Sequence, residues 1–260
     1  MANLFFSRRQ LLNVGGRLVP ALLLISGAPL SRRAFAQEAI NWRDAFASVP
    51  VGGHGRVKQI NGRATANGRE LAVGDIVRSG EVLRVLETLR AHGANLTISV
   101  QGGAIFQIKH GAELEFNASP RNTGLLRLIA GAMLAVVPRG HRYLVQGPAA
   151  TIGIKGTVVY RHLFQEDELQ AKAMEGKSYT RPRNLTDYFC TCNGEVDYLR
   201  NEDRSLVTSD TAQHHNAFFL DPADPRMLHS APMVNHFDED IDALISLQDG
   251  EKHDRGFLRL

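Results

Sequence analysis

The residues best equipped for chemistry in this chain are its only two cysteines, Cys190 and Cys192, separated by a single threonine. In an extended strand, positions i and i+2 face the same side with Cα atoms about 6.5–7 Å apart. Two thiols so placed can bind one soft metal ion, whereas a disulfide between them sits near the upper limit of disulfide geometry. His214 and His215 follow about twenty residues later, beyond a turn around Asn201-Glu202-Asp203, and His229 and His236 lie further on. If the segments pair, an imidazole reaches the thiols. Adjacent strand residues point to opposite faces, so one of His214 and His215 is expected to do so. The candidate metal ligands are therefore Cys190, Cys192, His214, His215, His229 and His236. Two thiolates with one or two imidazoles suit zinc, copper or an iron-containing centre. Two other readings stay open. The pair is also a candidate disulfide or redox couple, as cysteines of exported proteins often are, or simply two small buried apolar side chains. The lone histidines 54, 92, 110, 141, 162 and 253 read as surface or core residues.

No catalytic residue set accompanies the cysteines. The chain has neither a phosphate-binding glycine loop nor a G-x-S-x-G nucleophile elbow, and nothing marks a third residue that would orient a Cys–His pair. Asp238-Glu239-Asp240 read as charges at a helix start, favoured by the helix dipole. The expectation is a protein that is not an enzyme.

The elements that must position these residues read as β. Gly, Asn and Asp recur every eight to twelve residues from Gly55 onward, between short alternating apolar runs. Strands are expected at 55–60, 76–79, 94–99, 104–108, 113–116, 125–129, 132–136, 143–146 and 157–163. The imperfect alternation in 125–129 suggests partial burial on both faces. Residues 164–183, polar and rich in helix formers, read as an inserted loop or short helix. Residues 184–220 return to strand character and carry the Cys-x-Cys and His-His pairs. Residues 221–260 read as a loop and a helix over 237–248, with Phe237, Ile241, Leu244, Ile245 and Leu247 on its apolar side and a frayed end. The fold class is all-β, a sandwich or solenoid-like domain with a C-terminal amphipathic helix.

The N-terminal 36 residues carry Arg8, Arg9, Arg17, Arg32 and Arg33 and no acid. The chain has 30 basic and 27 acidic residues, so the rest is nearly neutral and offers no electrostatic footprint for nucleic acid. Ser7-Arg8-Arg9-Gln10-Leu11-Leu12 resembles a twin-arginine export signal. An apolar run, 18–25, and the small-x-small pattern Ala34-Phe35-Ala36 follow. The run is shorter than the roughly 20 residues a membrane helix needs. The expectation is a signal peptide over 1–36 cleaved after Ala36, a periplasmic location, and no membrane span in the mature chain. Residues 37–53 read as a lead-in with a short helix at 41–46.

Several motifs in 54–163 occur in a familiar order. They are Gly55-Arg56-Val57, then Gly74-Asp75-Ile76-Val77-Arg78-Ser79-Gly80, then 94–104, then the pair of runs around Gly131. Last comes Tyr143-Leu144-Val145-Gln146-Gly147-Pro148-Ala149-Ala150-Thr151-Ile152-Gly153-Ile154-Lys155-Gly156-Thr157. Together they resemble the FecR-like domain of bacterial periplasmic proteins. Gly74, Gly131 and Gly156 are expected in tight turns with positive φ. The resemblance implies sensing or regulation, although the name-giving family member also has a cytoplasmic segment and a membrane helix. A non-enzymatic periplasmic binding or sensory protein is thus expected, with an unknown periplasmic protein or small ligand as partner. A thiol redox protein using Cys190 and Cys192, or a structural scaffold, is the alternative.

Overall fold

A computed structural model describes residues 53–86, 93–100, 103–119, 123–172 and 178–247. The expected signal peptide, most of the lead-in with its short helix, and the final dozen residues lie outside the described residues.

The described residues are nearly all β with one short helix. The strands in order are β1 (His54–Asn61), β2 (Arg63–Ala66), β3 (Arg69–Glu70), β4 (Ile76–Arg78), β5 (Glu81–Leu86), β6 (Asn95–Val100), β7 (Ile105–Lys109), β8 (Glu113–Ser119) and β9 (Thr123–Val136). There follow β10 (Arg142–Gln146), β11 (Thr151–Ile154), β12 (Val158–Leu163), β13 (Gln170–Lys172), β14 (Ser178–Thr180), β15 (Asp187–Leu199), β16 (Leu206–Ala212), β17 (Asn216–Leu220) and β18 (Leu228–Ala231). The helix α1 (Asp238–Ser246) ends the described chain. Among the described residues no helix is long and apolar enough to cross a membrane.

Two layers are built from one continuous hydrogen-bonded path. The first runs β4-β1-β6-β7-β9-β12-β15-β17-β18, and the second β3-β2-β5-β8-β9-β10-β11-β15-β16. β9 and β15 belong to both. The first part of β9 pairs with β8 and β10, and Gly131–Val136 pairs with β12. Likewise β15 pairs through Asp187–Asn193 with β12 and through Gly194–Leu199 with β16. Each strand changes layer at a glycine in the left-handed region, Gly131 at φ 70 and Gly194 at φ 105. A Cβ at Gly131 would lie 2.6 Å from the Ala112 backbone, and one at Gly194 would lie 2.6 Å from the Thr157 side chain. Conformation and close approach both demand glycine there.

The bend at Gly131 corrects one sequence expectation. Residues 125–129 and 132–136 form a single strand, because Gly131 bends the chain without ending its ladder. The expected partial burial of 125–129 on both faces holds only at Leu125, which is half-buried on the outer side. Leu126 and Leu128 point into the core while Ile129 is 41% exposed. The 164–183 segment holds the β13–β14 hairpin where a loop or helix was expected. Gln170 and Thr180 pair across it through their side chains as well as their backbones. The 221–260 segment contains β18 in addition to its loop and helix.

Between the layers lies the main core, in which Leu96, Ile98 and Phe106 meet Leu83, Leu114, Phe116, Leu126 and Tyr143. The outer face of the first layer is apolar too. Leu134, Val136, Val158, Tyr160, Tyr188, Cys190 and Phe219 form a second cluster there, closed by Phe164, Val234, Ile241 and Leu244. Residues 232–247 are thus a lid on the first layer.

Arg161 and Asp187 form an ion pair within the core. Arg161 is 0% exposed. Its Nε donates to Asp187 Oδ1 at 3.0 Å and its Nη2 to Asp187 Oδ2 at 2.6 Å. Nη1 donates to the carbonyl of Val145 at 2.6 Å and Nη2 also to that of Ala150 at 2.8 Å. Asp187 also accepts the Ala149 N–H at 3.1 Å. A side chain at Gly147 would overlap this guanidinium. Asn201 closes the loop from outside, donating to the Gly147 and Pro148 carbonyls. The Gly147-Pro148-Ala149-Ala150 stretch is therefore shaped around a buried charge. Breaking such a pair leaves the partner uncompensated in a low-dielectric interior. Asp187→Ala should lower the unfolding free energy by about 3–5 kcal/mol in urea denaturation. A loss below about 1 kcal/mol would show that the pair is not holding this loop.

Candidate metal centre

The alternation of β15 places Tyr188, Cys190 and Cys192 on its outer side, in the second apolar cluster. Thr191, between them, turns inward, where its hydroxyl donates to Asp210 at 2.7 Å. β17 pairs with this stretch of β15, Ala217 opposite Cys190. The turn before β17 is pinned by the His215 N–H, which donates to the Cys192 carbonyl at 3.1 Å. That contact delivers the His215 ring to the thiols. The fourth residue comes from the lid. Tyr188 reaches it through its hydroxyl, which donates to the Pro232 carbonyl and accepts the Val234 N–H, each at 3.1 Å. Asn235 then adopts φ 58, and His236 turns inward to stack on Tyr160 with ring centroids 4.2 Å apart.

Cys190, Cys192, His215 and His236 each offer one donor atom, and all four atoms lie within 4.8 Å of one another. Cys190 Sγ is 3.5 Å from His215 Nδ1, Cys192 Sγ is 3.4 Å from His236 Nε2, and the two sulfurs are 3.9 Å apart. Metal–sulfur bonds of about 2.3 Å and metal–nitrogen bonds of about 2.05 Å give tetrahedral edges of about 3.8 Å between sulfurs and about 3.6 Å between sulfur and nitrogen. The three measured separations match those edges. Both imidazoles are held from behind. His215 Nε2 lies 2.8 Å from Asp238 Oδ1, and His236 Nδ1 lies 2.8 Å from the Val234 carbonyl. Each ring nitrogen that faces a sulfur is thereby left as the free acceptor, the arrangement a metal-bound histidine uses. Cys190, Cys192 and His236 are buried and His215 is nearly so.

The charges lean the same way. Burial opposes ionisation of Cys190, but hydrogen bonds from Cys192, His215 and His236 outweigh it and bring the thiol down to about 4. Burial and the neighbouring Cys190 charge push Cys192 up. His215 is also desolvated, yet its contacts with Cys190 and Asp238 raise it.

Two sequence candidates fall elsewhere. His214 is exposed, because it is the strand-like neighbour of His215 and so points away. His229 lies on β18, opposite Phe219 and separated from β15 by β17. Its ring faces Asp224 at 3.5 Å and Asp221 at 3.7 Å. Asp238, read in the sequence as a helix-start charge, serves as that and as the partner of His215. His162, grouped with the surface or core histidines, stacks on Phe164 at 3.9 Å and lines a cavity of about 550 Å³ beside the centre. Only the spacing of His162 from Tyr160 on one strand face hinted at this.

No family model matches the chain, and no curated protein matches it. Two crystal structures of a protein described as an anti-sigma factor from Parabacteroides distasonis ATCC 8503 are similar in part. One has a TM-score of 0.38 at 13% identity, over 60% of this chain and 59% of that one. The other has a TM-score of 0.37 at 14% identity, over 56% of each. The chain thus spans less than two thirds of the length of these structures.

Burial lowers His162 to about 4, with Arg181 and His236 adding to the effect. A histidine with a depressed folded-state pKa binds its proton more readily unfolded, at about 6.5. Its contribution to stability is complete above about pH 6.5 and lost as the pH falls towards 4. Urea denaturation at stepped pH should show a drop of up to about 3 kcal/mol across that window. His162→Gln should flatten it, and an unchanged slope would assign the loss to other groups.

Proposed function

We propose that this chain is a non-enzymatic binding and sensory protein whose lid is fastened by one metal ion, bound by Cys190, Cys192, His215 and His236. The observation that carries this reading is the match of three donor separations to tetrahedral edges, with both imidazoles oriented by partners behind them. Two thiolates and two imidazoles select a soft or borderline ion, zinc first, with copper(I) the competitor. Four protein ligands leave no open position for a substrate, so the ion is structural. Burial of the cluster under residues 232–247 fits that role.

Export and a regulatory role rest on the sequence. The twin-arginine pattern at Ser7–Leu12 and the Ala34-Phe35-Ala36 pattern support delivery to the periplasm. A route that carries folded proteins would let the thiols take up metal before meeting oxidants. The FecR-like motif order supports a sensory domain that signals through a partner protein.

Elemental analysis of full-length protein, purified from cytosolic and periplasmic fractions, should find about one zinc or copper per chain. Cys190→Ser combined with Cys192→Ser should remove it. A strong chelator should lower the melting temperature of the native protein and leave that of the double variant unchanged, because binding free energy at such a site is folding free energy. Metal-free protein from both fractions, with two thiols counted and no response to chelator, would overturn the metal centre.

A further inference from the structure

Cys192 stands outside the ladders that hold the rest of β15. On the β12 side Thr191 faces Val159 and Asn193 faces Val158, so Cys192 is the extra residue of a β-bulge. On the β17 side the ladder ends with Thr191 opposite Asn216, and β16 joins only from Gly194 onward. Every other residue from Asp187 to Leu199 has a cross-strand partner. Cys192 is steadied instead by the His215 N–H on its carbonyl and by the His236 ring 3.4 Å from its sulfur. A bulge bends its strand and re-aims the side chain it carries.

The bulge matters to the thiols as much as to a metal. In a regular strand, positions i and i+2 lie near the upper limit for a disulfide. Here the strand bends at one of the two cysteines. Both thiols are free, and their sulfurs are 3.9 Å apart. Cys192 can close that gap without displacing a residue paired opposite it. The chain has no third cysteine to compete. The pair also has a solvent side. Cys190 meets His215 Nδ1 at 3.5 Å, and the far nitrogen of that ring meets Asp238, whose carboxylate is 79% exposed. One imidazole and the start of a short helix thus separate the sulfurs from water. Brief local opening of such a cover admits a small reagent to buried thiols.

Taking the metal reading as its premise, we propose that the centre is a redox switch, in which hydrogen peroxide converts Cys190 and Cys192 into a disulfide, expels the metal ion and unfastens residues 232–247. One thiolate attacks a peroxide oxygen. The sulfur–oxygen bond forms as the oxygen–oxygen bond breaks, and hydroxide leaves a sulfenic acid behind. The second thiolate attacks that sulfur, forming the sulfur–sulfur bond and displacing a second hydroxide. The two sulfurs give two electrons to the peroxide, and a zinc ion leaves with its oxidation state unchanged. Thiolate, not disulfide, is the metal ligand, so His215 and His236 lose the ion they share. Of its polar fastenings the lid then keeps the Tyr188 hydroxyl and the Lys109–Asp240 pair.

The test is a peroxide titration of zinc-loaded full-length protein whose zinc and two thiols have been counted beforehand. One zinc should be released per disulfide formed, with a mass loss of two hydrogens. Hydrogen exchange across 232–247 should become faster by at least about tenfold. Dithiothreitol with added zinc should reverse all three changes. Absence of zinc at the outset would overturn the metal reading and the switch with it. Zinc retained against peroxide, oxygen added to the sulfurs in place of the disulfide, a disulfide between two chains, or unchanged exchange in the lid would each overturn the switch and leave the metal centre standing.

Discussion

The outer face of the first layer is as apolar as its inner face, and that face must be covered. Leu134, Val136, Val158, Tyr160, Tyr188 and Phe219 would otherwise lie in water, and at about 25 cal/mol per Å² such exposure costs several kcal/mol. The cover available is small. Residues 232–247 contribute Val234, Ile241 and Leu244 as buried apolar side chains, with Ile245 and Leu247 half-buried. A helix of nine residues is marginal by itself in water. The lid therefore depends on polar fastenings, namely the Tyr188 hydroxyl, the Lys109–Asp240 pair and the Cys/His cluster.

Two of the buried polar constellations solve opposite problems. Arg161 and Asp187 bring their own compensation, since each charged atom has a partner in the folded chain. That network shapes the Gly147–Ala150 loop and is complete as it stands. The Cys/His cluster is compensated only in part. Two sulfurs 3.9 Å apart with two imidazoles against them hold more donor and acceptor capacity than they satisfy mutually. A cation at the centre would resolve this, because it replaces two like partial charges facing each other with four attractive contacts.

The sequence showed the elements whose signal is local. Period-two alternation marked most strands up to 163, the acids at 238–240 marked the helix start, and the i, i+2 spacing of Cys190 and Cys192 put both sulfurs on one face. What escaped depends on contacts distant in sequence. Gly131 looked like a turn, because nothing local distinguishes a glycine that ends a strand from one that lets it bend past Ala112. The β13–β14 hairpin hid in residues with helical propensity, which cross-strand pairing overrode. Among four candidate histidines, the choice of His215 and His236 was set by the β15–β17 register and by the Asn235 turn. Neither can be read from spacing.

The lid also joins the cluster to the neighbouring cavity. Asn235 and Asp240 line the cavity, while His236 and Asp238 belong to the cluster. Within six consecutive residues, 235–240, two line the cavity and two serve the cluster. The Asp240 carboxylate accepts the Phe237 N–H at 3.1 Å and so sets the start of the same helix turn that aims Asp238 at His215. Whatever orders this stretch from one side lowers the entropic cost of ordering it from the other. A metal ion held by His236 would therefore also steady the helix start that borders the cavity.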